Sequence, residues 1–197
     1  IHLEAAVFDT GSVRVEGRAD FLAEPHVGVE AAMRMDEVQL DYFRPIIERY
    51  NLSVRNGRLS LAGNVEYAPK VTRLILERVL LQGVALEYRH LPATAQAEQA
   101  RVEQTAALAR EAATTSTAEL RIDRLEIVKS AFGFTNDVAA RPYRLQVTDT
   151  NLTVEHLGNQ PQTRPAVARL VGQLMGRGET RLTATLDRRA GSADMDV

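Results

Sequence analysis

Hydrophobic residues recur mainly at every second position of this chain, and two residues is the side-chain period of a β-strand. From Gly11 onward, Val13, Val15, Ala19 and Phe21 fall on one parity, while Arg14, Glu16, Arg18 and Asp20 fall on the other. The segment reads as a strand with one dry face and one charged face. His26 to Met35 continues as a second strand after a turn near Ala23-Glu24-Pro25. Gly57 then opens a near copy, with Leu59, Leu61, Val65 and Tyr67 opposite in parity to Arg58, Ser60, Asn64 and Glu66. Gly11 to Gly17 aligns with Gly57 to Gly63, Phe21 with Tyr67, and Gly178 to Asp187 is a weaker third echo. Repetition on this scale predicts an extended, quasi-repetitive sheet rather than a compact enzyme core.

Other segments fill in the architecture. Val71 to Leu81 and Val84 to Tyr88 read as strands separated at Gly83, with apolar residues on both parities of the first. Such a mixture implies burial on both faces or a bulge. Parity also switches between Ile122 and Leu125, and between Val147 and Leu152, which predicts a bulge at each place. Asp149 and Glu77 sit at awkward parities that one bulge each accounts for. Three segments read as helical: Leu40 to Tyr50, short or starting near Pro45; Pro92 to Thr115, rich in Ala, Gln, Glu and Arg; and Arg164 to Met175, ended by Gly176 and Gly178. The expected fold is mainly β (α+β): a long, curved, mostly antiparallel sheet built from repeats, with a few short helices and an Ala-rich helical insertion. The expected organisation is one fragment, 1–197, of a larger protein, with sub-repeats 1–90 and 118–197 joined by an Ala-rich helix or linker at 91–117.

Composition removes several function classes. Twenty-four Lys and Arg stand against 26 Asp and Glu in 197 residues, a balance that argues against a nucleic-acid binder. There is no Cys, hence no disulfide framework, thiolate metal site or Cys nucleophile. His2, His26, His90 and His156 are scattered without metal-ligand spacing. Gly172 to Gly178 is glycine-rich but lacks the Lys-Ser/Thr of a phosphate loop. No cofactor and no catalytic constellation is expected, and the chain is expected not to be an enzyme. Arg14, Arg18, Arg34, Arg55 and Arg58 read either as a surface for anionic headgroups or as a solvated polar face balanced by Glu16, Asp20 and Asp36.

One stretch carries family information. Met35-Asp-Glu-Val-Gln-Leu-Asp-Tyr-Phe-Arg-Pro45-Ile-Ile leads into Asn51-Leu-Ser-Val-Arg-Asn-Gly57 and the strand that runs to Tyr67. This resembles the AsmA-like envelope proteins of Gram-negative bacteria, in which a strand enters a short Leu-x-x-Phe-x-Pro helix and a Gly-x-Leu strand follows. Thr117 to Ile127, then Tyr143 to Glu155, look like a further repeat. The resemblance implies a periplasmic protein, tethered to the inner membrane by an anchor outside this chain, with an apolar sheet face implicated in phospholipid transport.

On that basis the expected partner is a phospholipid or other envelope lipid, with other envelope proteins as a further class. The candidate groove residues are Val13, Val15, Phe21, Leu59, Leu61, Val65, Tyr67, Leu145 and Val147. The same residues suit a closed sandwich equally well, and the alternative function is a structural or protein-interaction module of the envelope that binds no lipid.

Overall fold

The computed structural model describes residues 2–7, 10–20, 28–68, 71–101, 103–104, 118–160, 164–187 and 192–196. Among the described residues, twelve strands form one open sheet: β1 (His2–Val7), β2 (Gly11–Asp20), β3 (Gly28–Gln39), β4 (Leu52–Arg55), β5 (Arg58–Ala68), β6 (Val71–Gln82), β7 (Ala85–His90), β8 (Ala118–Asn136), β9 (Tyr143–Gly158), β10 (Ala166–Leu174), β11 (Gly178–Asp187) and β12 (Ser192–Asp196). The main path runs β1-β2-β3-β5-β6-β8-β9-β10-β11-β12, with β4 beside β7 and β7 beside β8. Pairing is antiparallel except where β8 lies parallel to β6 and β7. β4–β5 and β6–β7 behave as one long hairpin. Its register runs from Leu52↔Tyr88 to Arg55↔Ala85 and resumes at Arg58↔Gln82, with Asn56-Gly57 opposite Gly83-Val84.

A crease crosses the sheet at that interruption. Asn56, Gly57, Gly83, Lys129 and Asp149 all have positive φ. The β8–β9 register shifts around Ser130, and the β9–β10 register shifts between Val171 and Gln173. A second crease involves β6, β8 and β9. Leu76 pairs with Ile122 and Val79 with Leu125, so both strands spend three residues between successive same-face positions. β9 does the same between Val154 and Leu157, where His156 has φ 61°. Each extra residue reverses parity. Leu74, Leu76, Val79 and Leu81 therefore share one face, as do Ile122, Leu125, Ile127, Phe132 and Phe134 of β8. The bulges expected at Glu77, Arg124 and Asp149 are all present.

The driest part of the described structure lies along the first crease. Val38, Val54, Val84, Ser130 and Thr150 are at most 2% exposed. The Ser130 hydroxyl accepts from Val84 N–H and donates to the Val128 carbonyl. Beyond this line the apolar side chains are mostly half-buried by lateral neighbours alone. The chain accordingly exposes 13206 Å², whereas a compact 21.8 kDa monomer exposes about 9,000 Å². The sheet is open, not one half of a closed sandwich.

The internal repeat has a structural basis. A Cβ on Gly17 would lie 2.7 Å from the Ala31 Cα of β3, and one on Gly63 would lie 2.8 Å from the Leu76 Cα of β6. Both glycines thus let a strand approach the next one closely. Leu40–Phe43, Arg44–Ile47 and Glu48–Tyr50 form three successive helical turns, with Pro45 in the first turn of the middle one. Residues 95–101 and 103–104 of the Ala-rich segment are helical, and the rest of 105–117 lies outside the described residues. Arg164 to Met175 is not a helix. Ala166–Leu174 is β10, paired with β9 and β11. The i, i+3, i+4 spacing of Val167, Leu170, Val171 and Leu174 coexists with a period of two in Ala166, Ala168, Leu170, Gly172 and Leu174, where small residues mute the alternation. Strands on both sides decide the outcome, and Met175 and Gly176, both at positive φ, turn the hairpin into β11.

Two substitutions test this packing. Gly63→Ala places a methyl 2.2 Å from the Ile75 carbonyl oxygen and should lower unfolding free energy by about 1–3 kcal/mol, read as a lower urea midpoint. Thr150 Oγ1 is buried without a hydrogen-bond partner among the described residues. Thr150→Val should therefore raise stability by about 1 kcal/mol in the same measurement.

Candidate functional site

Directly paired residues share a sheet face, so register assigns each side chain. Val13 and Val15 of β2 lie opposite Met35 and Met33 of β3. Met35 and Ala31 of β3 lie opposite Leu61 and Val65 of β5, and Val29 lies opposite Tyr67. Leu59, Leu61 and Val65 continue to Leu81, Val79 and Leu74 of β6. From there the same face passes to Leu120, Ile122, Leu125 and Ile127 of β8, then to Leu157, Val154 and Leu152 of β9, and to Leu170 and Leu182. The result is one apolar face spanning the sheet.

The structure brings Val13, Val15, Leu59, Leu61, Val65 and Tyr67 into one patch, with β3 between the two sets. Leu145 and Val147 share the face but lie on the far side of the first crease, opposite Phe134 and Phe132. Phe21 lies outside the described residues. Sequence parity missed Met33 and Met35 in the patch, and also the β6 and β8 positions. Reading β6 and β8 with one inserted residue at each parity switch would have found the latter.

Nothing among the described residues covers most of this face. Leu3, Tyr67, Leu120, Tyr143, Leu145, Leu157, Leu174 and Leu186 are each at least 39% exposed, and all lie on it. Among the exposed large hydrophobics on strands in the described residues, only Val171 points the other way. A contiguous exposed apolar surface of this kind marks a ligand or partner site.

The opposite face is charged and internally neutralised. Glu66, Arg73 and Glu119 stand in register on β5, β6 and β8, with Arg73 bonded to both carboxylates. Arg78 and Arg124 both hold Glu126, and Arg124 and Arg169 both reach Glu155. Arg14, Arg18, Arg34 and Arg58 pair with Glu4, Glu30, Asp36 and Glu37. These arginines therefore face carboxylates rather than forming an unbalanced cationic surface. Solvent screens such exposed pairs, so each adds little to stability, but those that cross strands, such as Arg73 with Glu66 and Glu119, favour the observed neighbours.

At the end of the face beyond the first crease sits a buried polar cluster. The Tyr88 ring stacks on Phe134 at 5.9 Å, and Phe134 meets Tyr143 at 6.1 Å. The Tyr88 hydroxyl donates to Glu98 at 2.5 Å, Asn51 Nδ2 donates at 2.6 Å, the Thr94 hydroxyl also donates, and His90 Nδ1 lies 2.5 Å from the same carboxylate. Glu98 is 6% exposed. Burial pushes its carboxyl up, but the bonds from Thr94, Tyr88 and His90 outweigh burial and hold it down at about 2. Burial and the adjoining carboxylate push the Tyr88 phenol up to about 12. Among the described residues, no group of three or more His, Asp or Glu is placed to hold a metal ion, and no helix is long and apolar enough to cross a membrane.

No protein-family model matches the chain, and no curated protein matches it.

The depressed carboxyl sets a pH dependence. The contribution of Glu98 is complete above its ordinary value of 4.5 and is lost as pH falls toward about 2. Amide protection of residues 95–101, measured relative to β8, should be constant above pH 4.5 and should decline below it.

Proposed function

We propose that this chain shelters lipid acyl chains on its apolar sheet face, as a periplasmic segment of an AsmA-like envelope protein engaged in phospholipid transport or outer-membrane homeostasis. One observation carries the proposal: a continuous apolar face whose large side chains stay exposed while the opposite face is neutralised by ion pairs. Each methylene removed from water contributes about 0.8 kcal/mol, so an acyl chain gains affinity without a specific headgroup site. Such a surface needs no catalytic group. The resemblance of Met35 to Tyr67 to the AsmA-like pattern supplies the envelope setting.

A second reading has its own support. β1 pairs only with β2 and β12 only with β11 among the described residues, so each outer edge offers unpaired backbone groups for strand addition by another envelope protein.

Native mass spectrometry and lipid extraction of the purified chain separate the two. Lipid sheltering predicts co-purifying phospholipid and uptake of a fluorescent acyl probe. Val15→Asp with Leu61→Asp should abolish uptake while circular dichroism is retained. Ala32→Lys, on the charged face opposite Glu16, should leave uptake unchanged. A folded wild-type chain with neither phospholipid nor probe uptake would overturn the lipid proposal and leave the interaction module.

A further inference from the structure

β7 is an interior strand, paired with β4 on one side and with β8 on the other. β8 runs parallel to it, and of the connection that leaves His90 the residues 91–101 and 103–104 are described. The start of that connection lies over one face of the sheet. Tyr88 and His90 alternate onto the side where Tyr88 pairs with Leu52 and Phe134, the apolar side. Both bond to Glu98, so helix 95–101 lies over the aromatic end of the apolar face.

Its hold is unusual for a docked helix. Residues 95–101 are Ala-Gln-Ala-Glu-Gln-Ala-Arg and contribute no large apolar side chain. Glu98 is the buried residue among them. Arg101 adds an exposed contact, its guanidinium 5.4 Å from the centre of the Tyr50 ring. A single carboxylate thus accepts from two strand side chains, from Asn51 at the end of the short helical segment, and from Thr94. Among the described residues of this helix, the buried contact is the Glu98 carboxylate, and Arg101 adds a hydrogen bond to the Arg49 carbonyl.

We propose that helix 95–101 is a detachable clasp over the Tyr88–Phe134 end of the apolar face, held by the Glu98 carboxylate. Closed, it covers that end. Released, it extends the apolar face by an aromatic platform that continues to Tyr143 and Leu145. The consequence for acyl occupancy rests on the lipid-sheltering proposal; the clasp itself does not.

Hydrogen–deuterium exchange and titration with the apolar dye 8-anilinonaphthalene-1-sulfonate test this on the full chain. Glu98→Ala should raise exchange in 95–101 by about tenfold or more, leave β8 and β9 unchanged, and increase dye emission. Unchanged exchange in the helix would show that Glu98 is not the hold. Faster helix exchange with unchanged dye emission would show that the helix covers no apolar surface. Either result overturns the clasp. If Glu98→Ala loosens the whole sheet, Glu98→Gln, which keeps the bulk and one acceptor oxygen, carries the test: a smaller rise in both readouts with β8 and β9 unchanged is expected, and no rise in either overturns it. Absence of phospholipid from the wild-type chain would remove the lipid proposal without touching these readouts.

Discussion

Strict alternation of side chains is the constraint on which this structure depends. A long strand keeps one apolar face only if its sequence alternates throughout or if an extra residue resets parity where alternation fails. β6, β8 and β9 take the second course together: the insertions at the level of Glu77 fall on adjacent strands, so register is preserved across them. The crease through Gly57, Gly83, Lys129 and Asp149 repeats the device one step further along the sheet. Facing bulges keep β6, β8 and β9 in register with one another, whereas β5 beside β6 and β10 beside β9 take up the extra residue as a register shift.

The same geometry explains why so little of the chain is deeply buried. With one layer and no opposing sheet, an apolar side chain is sheltered only by its lateral neighbours, which leaves it half-covered. Complete burial occurs where the crease folds strands toward one another, around Val38, Val54 and Val84. The charged face compensates through cross-strand ladders such as Glu66–Arg73–Glu119, which discourage register slips because a one-residue shift would carry each charge to the apolar side. An open sheet built this way leaves its apolar face uncovered over most of the described residues, and under the clasp proposal the Glu98-held helix sets how much of its aromatic end is exposed.

Much of this was legible in the residues. Val13, Val15, Leu59, Leu61 and Val65 announce their face by alternation, and the parity switches at Ile122/Leu125 and Val147/Leu152 announce the bulges. The segment at 166–174 was misread because Ala166, Ala168 and Gly172 make a weak apolar stripe, while Val167 and Val171 supply apolar residues on the other parity. Glu98 was invisible as a site. Nothing in an Ala-Gln-Glu-Arg stretch distinguishes the one carboxylate that will meet Tyr88, His90 and Asn51, residues brought to it only when β7 and the short helical segment are in place.

The sequence by itself determined that the chain would form strands with one apolar and one charged face, because alternation is a local property written in adjacent residues. Only the tertiary structure decided that these faces join into a single open surface rather than closing on each other, that β8 would run parallel to β6 and β7, and that the connection between them would begin over the apolar side. Those outcomes depend on which strands pair and in what register, and pairing is settled by contacts between residues as far apart as Thr72 and Ala118, which no local pattern specifies.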